Sequence, residues 1–204
     1  VMSSSKLCDA DWKYNRKFRN SRIANYEIMK KHNGMRPLDL VVLLKIVALD
    51  KQSWRKKDLA QWLGISGSEI SESLARSEIA GLVDSTHRQV FRRSLLDFLQ
   101  SGLRYVFPQR PGELVSGMPT AHSAPVLNDR LVSSESLVWP DSTDNVRGQA
   151  VEPLYHTVPQ ACREDPVLYD LLALADVMRM GRTREIKVAK TLLKERRLHD
   201  HNAQ

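Results

Sequence analysis

Three residues at defined spacings constrain the fold more than any other feature of the sequence. Ala60 is a small residue that lets two helices approach closely, Gly64 suits a tight turn, and Ile70 can close the joint between the helices. This spacing predicts a helix over residues 57–63, a turn, and a second helix over residues 67–80. An ordinary helix pair in an all-α protein is the alternative. Apolar residues on both predicted helices seal the joint: Leu59, Leu63, Ile65 and Leu74.

The flanking segments extend this prediction to a winged helix-turn-helix module over residues 35–107. Residues 37–49 are apolar on most sides of a helix and begin with a proline, which is typical of a first helical turn. Leu82-Val83 and Gln89-Val90-Phe91 flank a polar stretch, as expected of a small β-hairpin, the wing. A fourth helix is predicted over residues 92–105.

The C-terminal half has a different pattern. Most of the nine prolines lie between Pro108 and Pro159, and apolar residues come in short bursts, so residues 108–162 are predicted to be irregular. Asp165, followed by a proline, predicts a helix start. Gly181 separates this helix from another over residues 183–197. The expected fold class is therefore mainly α: a winged helix-turn-helix, an irregular region and a C-terminal αα-hairpin.

The charge distribution favours an anionic partner. The chain has a formal net charge of +7, and residues 1–34 carry eight Lys and Arg against three Asp and Glu. A basic chain is attracted to nucleic acid through counterion release, although many basic proteins do not bind it. Residues 1–34 interleave aromatic and cationic side chains and are interpreted as a basic N-terminal arm or helix.

Residues 35–107 resemble the bacterial winged-helix regulators, the group that includes the MarR-type repressors. The resemblance rests on Lys57-Asp-Leu-Ala-Gln-Trp-Leu-Gly-Ile-Ser66, Ile70-Ser-Glu-Ser-Leu74 and Gly81-Leu-Val83. It implies that the helix over residues 67–80 enters the major groove of double-stranded DNA. The resemblance implies a sequence-specific transcriptional regulator, a repressor of its own gene. Because one reading helix usually needs a second half-site, a homodimer is expected.

The candidate DNA-binding residues come from this reading helix and the preceding Ser66, from the two lysines at residues 56–57, and from the wing. The reading helix is net acidic, which opposes binding to a polyanion, so attraction to phosphate is expected from the lysines and the wing. Arg76 is about as suited to pairing with Glu72 as to touching DNA. Arg88 is expected at the wing tip, with little packing to do. The full set is Lys56, Lys57, Ser66, Ser68, Glu69, Ser71, Glu72, Arg76, His87 and Arg88.

The remainder of the chain resembles a bacterial family that pairs such a module with a similar C-terminal part. The resemblance includes Arg104-Tyr-Val-Phe-Pro108, Gly117-Met-Pro-Thr-Ala-His122 and Ala173-Leu-Ala-Asp176. This family is associated with genes beside nucleotidyltransferase-like toxins, which implies an antitoxin that binds a toxin partner through residues 108–204. An interaction protein of this kind, with DNA binding secondary, is the alternative function.

The sequence offers no arrangement typical of an enzyme. None of the six histidines stands with cysteines or carboxylates at zinc spacing, and no phosphate-binding loop or nucleophile motif is present. His122 is the histidine to test for a site, although a loop histidine bonded to backbone is favoured. Cys8 and Cys162 fit free thiols in a reducing compartment, and no apolar run reaches the roughly 20 residues that span a bilayer. We expect a cytoplasmic protein without cofactor, metal or membrane contact.

Overall fold

The computed structural model describes residues 34–127 and 135–198. Within them the protein is mainly helical, as predicted, with one small three-stranded sheet. The described helices are all too short or too polar to cross a membrane. Apart from Gly34, the predicted basic arm lies outside the described residues. The helices are α1 (Pro37–Leu49), α2 (Lys56–Leu63), α3 (Gly67–Ile79), α4 (Arg92–Asp97), α5 (Leu103–Val106), α6 (Val158–Glu164), α7 (Pro166–Met180) and α8 (Thr183–Leu193), and the strands are β1 (Leu114–Pro119), β2 (Leu137–Pro140) and β3 (Val146–Ala150).

Helix α1 forms the centre of the core. Every residue from Leu38 to Leu49 is buried, as expected of a helix that is apolar on nearly all sides. Two charged side chains, Asp39 and Lys45, are buried with it, and each meets an oppositely charged group. The Lys45 ammonium lies 2.9 Å from the Asp165 carboxylate, which precedes α7. This ion pair therefore links the N-terminal helices to the C-terminal hairpin.

Helices α2 and α3 form the predicted helix pair. Gly64 ends α2 in the left-handed conformation, with φ of 64°, which glycine adopts without steric cost. Ser66 then caps α3, because its Oγ accepts the N–H of Glu69 while the Glu69 carboxylate accepts the N–H of Ser66. The apolar side chains that close the joint are buried: Leu59, Leu63, Ile70 and Leu74.

The segment predicted to be a wing is a minimal hairpin. Val83 and Val90 form one antiparallel bridge, flanked by two backbone hydrogen bonds. The Asp84 carboxylate accepts three backbone N–H groups between residues 86 and 89. Burial raises the pKa of Asp84, but these bonds and one from the Thr86 hydroxyl lower it to about 2. A single carboxylate thus holds the turn.

The region predicted to be irregular contains a sheet and α6. Strand β1 pairs antiparallel with β2 and with β3, and β2 and β3 pair in parallel, so the three strands close on one another. A Cβ on Gly117 would lie 2.0 Å from the Trp139 carbonyl oxygen, and one on Gly148 would lie 2.6 Å from that of Ser136. Only glycine permits this closure. The prediction missed these strands because apolar and polar residues do not alternate in β1 or β2, and Gly148 interrupts the pattern in β3.

The predicted αα-hairpin is present as α7 and α8. The Asp165 carboxylate caps α7 by accepting two backbone N–H groups of its first turn. The helix predicted over residues 183–197 is α-helical to Leu193 and continues as a wider π-helical turn, Lys194–Leu198. A similar turn, Phe98–Gly102, separates α4 from α5, where the sequence predicts one continuous helix.

A buried polar cluster joins the sheet to the C-terminal hairpin. The Asp176 carboxylate on α7 accepts hydrogen bonds from the Trp139 indole at 2.6 Å, the Thr120 hydroxyl at 2.9 Å and Arg179 at 2.7 Å. Burial raises the pKa of Asp176, and the three donors oppose that shift. One hydrophobic core includes residues from both predicted regions, 35–107 and 108–198.

Candidate nucleic-acid interface

Helix α3 presents one side to solvent along its whole length. Ser68, Glu72, Ala75 and Ile79 are exposed, and their spacing places them on one stripe of a helix. The opposite side of α3 packs into the core through Ile70, Ser73, Leu74 and Ser77. We call the four exposed residues the α3 stripe. The α3 stripe is therefore accessible from solvent.

Arg76 does not belong to this exposed surface, so its prediction as a DNA-contacting residue is corrected. Its Nε and Nη2 donate to the two oxygens of Asp39 at 2.9 and 2.7 Å. The Arg76 side chain is only 10% exposed, and that of Asp39 is fully buried. The hydrogen bonds with Asp39 raise the pKa of Arg76. A carboxylate buried on α1 requires a cation nearby, and α3 supplies it across the helix interface.

Glu69 is also held by the protein. Its carboxylate accepts the N–H and the hydroxyl of Ser66, and the Tyr155 hydroxyl donates to it at 2.8 Å. These bonds, that of the Ser66 N–H first, lower the pKa of Glu69. Ser66 and Ser68 share a hydrogen bond between their hydroxyls, and the half-buried Ser71 donates to the carbonyl of Gly67. The polar side chains at the start of α3 are therefore mainly hydrogen-bonded to one another and to the backbone of its first turn.

The two remaining acidic residues of α3 differ in their surroundings. Glu78 lies 2.8 Å from the ring of His87, which joins the end of α3 to the hairpin. The Glu72 side chain is 66% exposed, and its carboxylate lies 3.6 Å from Arg76 Nη1. With Arg76 withdrawn into the core, the solvent-facing side of α3, all of it described, carries no cation.

Cations gather instead on a neighbouring surface made from two segments, residues 50–58 and 88–93. These segments carry seven Lys and Arg against two Asp. They are joined by an ion pair of Arg92 with Asp50 at 2.7 Å. We call this the basic surface. Its exposed cations are Lys51, Arg55, Lys56, Lys57, Arg88 and Arg93.

Arg88 contributes to this surface in a way the sequence did not indicate. Its guanidinium lies 4.8 Å from the centre of the Trp54 ring and donates to the Trp54 carbonyl. Arg88 therefore packs against Trp54, contrary to the expectation that it has little packing to do at the wing tip. The contact brings the hairpin against the start of α2, beside Lys56 and Lys57, whose side chains remain exposed as predicted.

Sequence reasoning missed Lys51, Arg55 and Arg93 as members of this surface. Arg55 also pairs with Asp58, 3.2 Å away. A usable signal was present, because cations cluster at residues 51–57 and again at residues 92–93. The two clusters meet through the Arg92–Asp50 ion pair and the Arg88–Trp54 contact, and neither pairing has a local sequence signature.

His122 is bonded to backbone, as favoured from the sequence. Its Nε2 lies 2.8 Å from the Glu135 carbonyl oxygen, and its Nδ1 lies 3.7 Å from the Glu185 carboxylate. Among residues 34–127 and 135–198, no three His, Cys, Asp or Glu side chains are grouped to hold a metal ion. The buried Cys162 is a free thiol.

Comparison with known proteins returned no match to a family model, a curated protein or a solved structure.

Proposed function

We propose that this protein is a sequence-specific transcriptional regulator, a repressor of its own gene, that binds double-stranded DNA through a winged helix-turn-helix within residues 35–107. The observation that carries the proposal is the position of the α3 stripe beside the basic surface. His87 contacts the end of α3, and the adjacent Arg88 contacts Trp54 at the start of the basic surface. The two surfaces are therefore neighbours.

The proposal assigns different tasks to the two surfaces. DNA affinity comes largely from phosphate neutralisation, and the basic surface has the cations for it. Sequence is read at base edges, and α3 is a helix with one accessible side of the kind that fits a major groove. Because each chain has one such helix, we expect two copies to bind a palindromic or repeated site.

The test measures DNA binding as a function of salt for the full chain, using sequences selected from a random double-stranded library. Replacing both Lys56 and Lys57 with Ala should weaken binding to all sequences about equally. The slope of log affinity against log salt should become shallower by about 0.9 for each lost phosphate contact.

The matched control replaces two exposed cations of α8, Arg184 and Lys187, with Ala. It removes the same charge from residues that are not part of the basic surface and should leave the slope nearly unchanged. Equal effects of the two double variants, or a wild-type protein that selects no sequence, would contradict the proposal.

A second candidate function is the antitoxin, which would bind a toxic enzyme. It is favoured by large apolar side chains exposed outside α3, at Tyr105, Val106 and Leu114. Aromatic and aliphatic side chains are common at the centres of protein interfaces. Co-expression with the product of the neighbouring gene should give a stable complex that Tyr105→Ser with Val106→Ser weakens. The absence of a complex would reject this candidate.

A further inference from the structure

We propose that Glu72 is the residue of α3 that reads a base, and that the DNA site carries a cytosine at the position Glu72 faces. This inference rests on the proposed function and names the base that the same surface recognises. Contacts to base edges carry sequence information, whereas contacts to phosphate chiefly position the protein. The polar side chains of α3 are therefore the ones to compare.

Most of these side chains are already engaged within the protein. Glu69 accepts hydrogen bonds from Ser66 and Tyr155, and Ser71 donates to a carbonyl of its own helix. Arg76 is paired with Asp39 in the core. A group held in this way would have to break an existing bond before it contacted a base.

The same holds for the last acidic residue of the helix. Glu78 lies 2.8 Å from His87, in a contact that joins α3 to the hairpin. Moving Glu78 toward a base would separate these two elements. Glu78 is therefore a poor candidate for base reading but a good control, since it carries the same charge on the same helix.

Glu72 has a weaker commitment, a long ion pair with Arg76 on its own helix. Its side chain is 66% exposed, and the 3.6 Å separation from Arg76 Nη1 is longer than a normal hydrogen bond. It lies within the α3 stripe, about one turn from Ser68 on one side and from Ala75 on the other. Both neighbours are small, so the Glu72 carboxylate projects furthest from this part of the helix.

The chemistry of a carboxylate selects the base. An ionised carboxylate accepts hydrogen bonds and donates none. In the major groove, guanine presents two acceptors, and thymine presents an acceptor and a methyl group, so neither offers a donor. Adenine has a donor beside an acceptor that repels the carboxylate. Cytosine presents its amino group alone, and it is the base that suits Glu72.

The experiment compares the sites that wild type, Glu72→Gln and Glu78→Gln select from a random library of double-stranded DNA. Glutamine pairs through two hydrogen bonds with adenine. We therefore expect the Glu72→Gln protein to select the wild-type site with adenine in place of cytosine at one position. Glu78→Gln loses the same charge but keeps a side-chain oxygen that can accept a hydrogen bond from His87, so it should select the wild-type site.

Direct binding measurements give the size of the effect. Wild type should prefer cytosine over adenine at that position by about ten-fold, the cost of one mismatched base pair, and Glu72→Gln should reverse the preference. Equal thermal unfolding midpoints would show that both variants fold alike, as expected at exposed positions.

The outcomes separate the two levels of the proposal. If wild type selects a site and Glu72→Gln selects that site unchanged, the assignment of Glu72 is overturned while DNA binding stands. If wild type selects no site, the proposed function and this inference are both overturned.

Discussion

Residues 50–58 and 88–93 carry seven Lys and Arg against two Asp, whereas α3 carries three Glu and one Arg. The two regions also differ in whether their charged side chains face solvent or are bound within the protein. On the basic surface most cations are exposed to solvent. On α3 the one cation, Arg76, is paired with the buried Asp39 carboxylate. Two of its three glutamates are also bound within the protein, one to Tyr155 and the other to His87. The charges on α3 thus mainly stabilise the fold.

In the proposed regulator, the acidic α3 approaches DNA beside a surface that is rich in cations. The electrostatic attraction that drives association does not have to come from the element that contacts the bases. A nearby surface can supply it, provided that the fold keeps the two surfaces adjacent. Here two contacts provide that connection, His87 with Glu78 at the end of α3 and the adjacent Arg88 with Trp54.

The largest effect is expected for Arg76→Ala. It would leave the Asp39 carboxylate buried without its cation, so the free energy of unfolding should fall by about 3–5 kcal/mol, measured by urea denaturation. Glu72→Ala, on the exposed side of the same helix, should change it by less than about 0.5 kcal/mol. An Arg76→Ala protein as stable as wild type would show that Arg76 belongs to the exposed surface after all.

A smaller effect is expected for Arg88→Ala. Loss of the contact with the Trp54 ring and carbonyl should lower the free energy of unfolding by about 1 kcal/mol. Arg93→Ala removes the same charge from an exposed position of the basic surface and should leave stability almost unchanged. If the two variants are equally stable, the two segments of the basic surface are not joined through Arg88.

The smallest effect concerns pH. Because the folded-state pKa of Asp84, about 2, lies below its ordinary value of 3.8, the stability it contributes is present above pH 3.8 and is lost as pH falls through about 2. The hairpin amide signals of wild type should shift over this range in NMR spectra. In Asp84→Asn that transition should be absent. The same transition in both proteins would assign it to another group.

Local patterns accounted for much of the helical structure. The predicted helix over residues 37–49 has the observed bounds, and α2 and α3 begin or end within one residue of prediction. These elements are marked by residues that act on their own backbone: a proline in the first turn, Gly64 at a C-terminus and Ser66 at an N-terminus. The three-stranded sheet has no such marks, because its closure depends on close approaches at Gly117 and Gly148 between distant segments.

The candidate site also has one part that local sequence predicts and another that depends on contacts between distant residues. The exposure of Lys56, Lys57, Ser68 and Glu72 follows from helical periodicity, and the sequence predicted it. The burial of Arg76 could not be read from its position on α3, since its partner Asp39 lies 37 residues earlier in the chain. Likewise, Tyr155 reaches Glu69 across 86 residues.

Local sequence determined the bounds of α1, α2 and α3 and the start of α7, because caps, turns and periodicity act within a few residues. The tertiary structure decided which charged groups are buried or bound to distant parts of the chain. A charge near the core is paired with whatever opposite charge the fold brings beside it, since an unpaired buried charge is too costly to persist. That pairing removed Arg76 from the surface of α3 and left Glu72 exposed there.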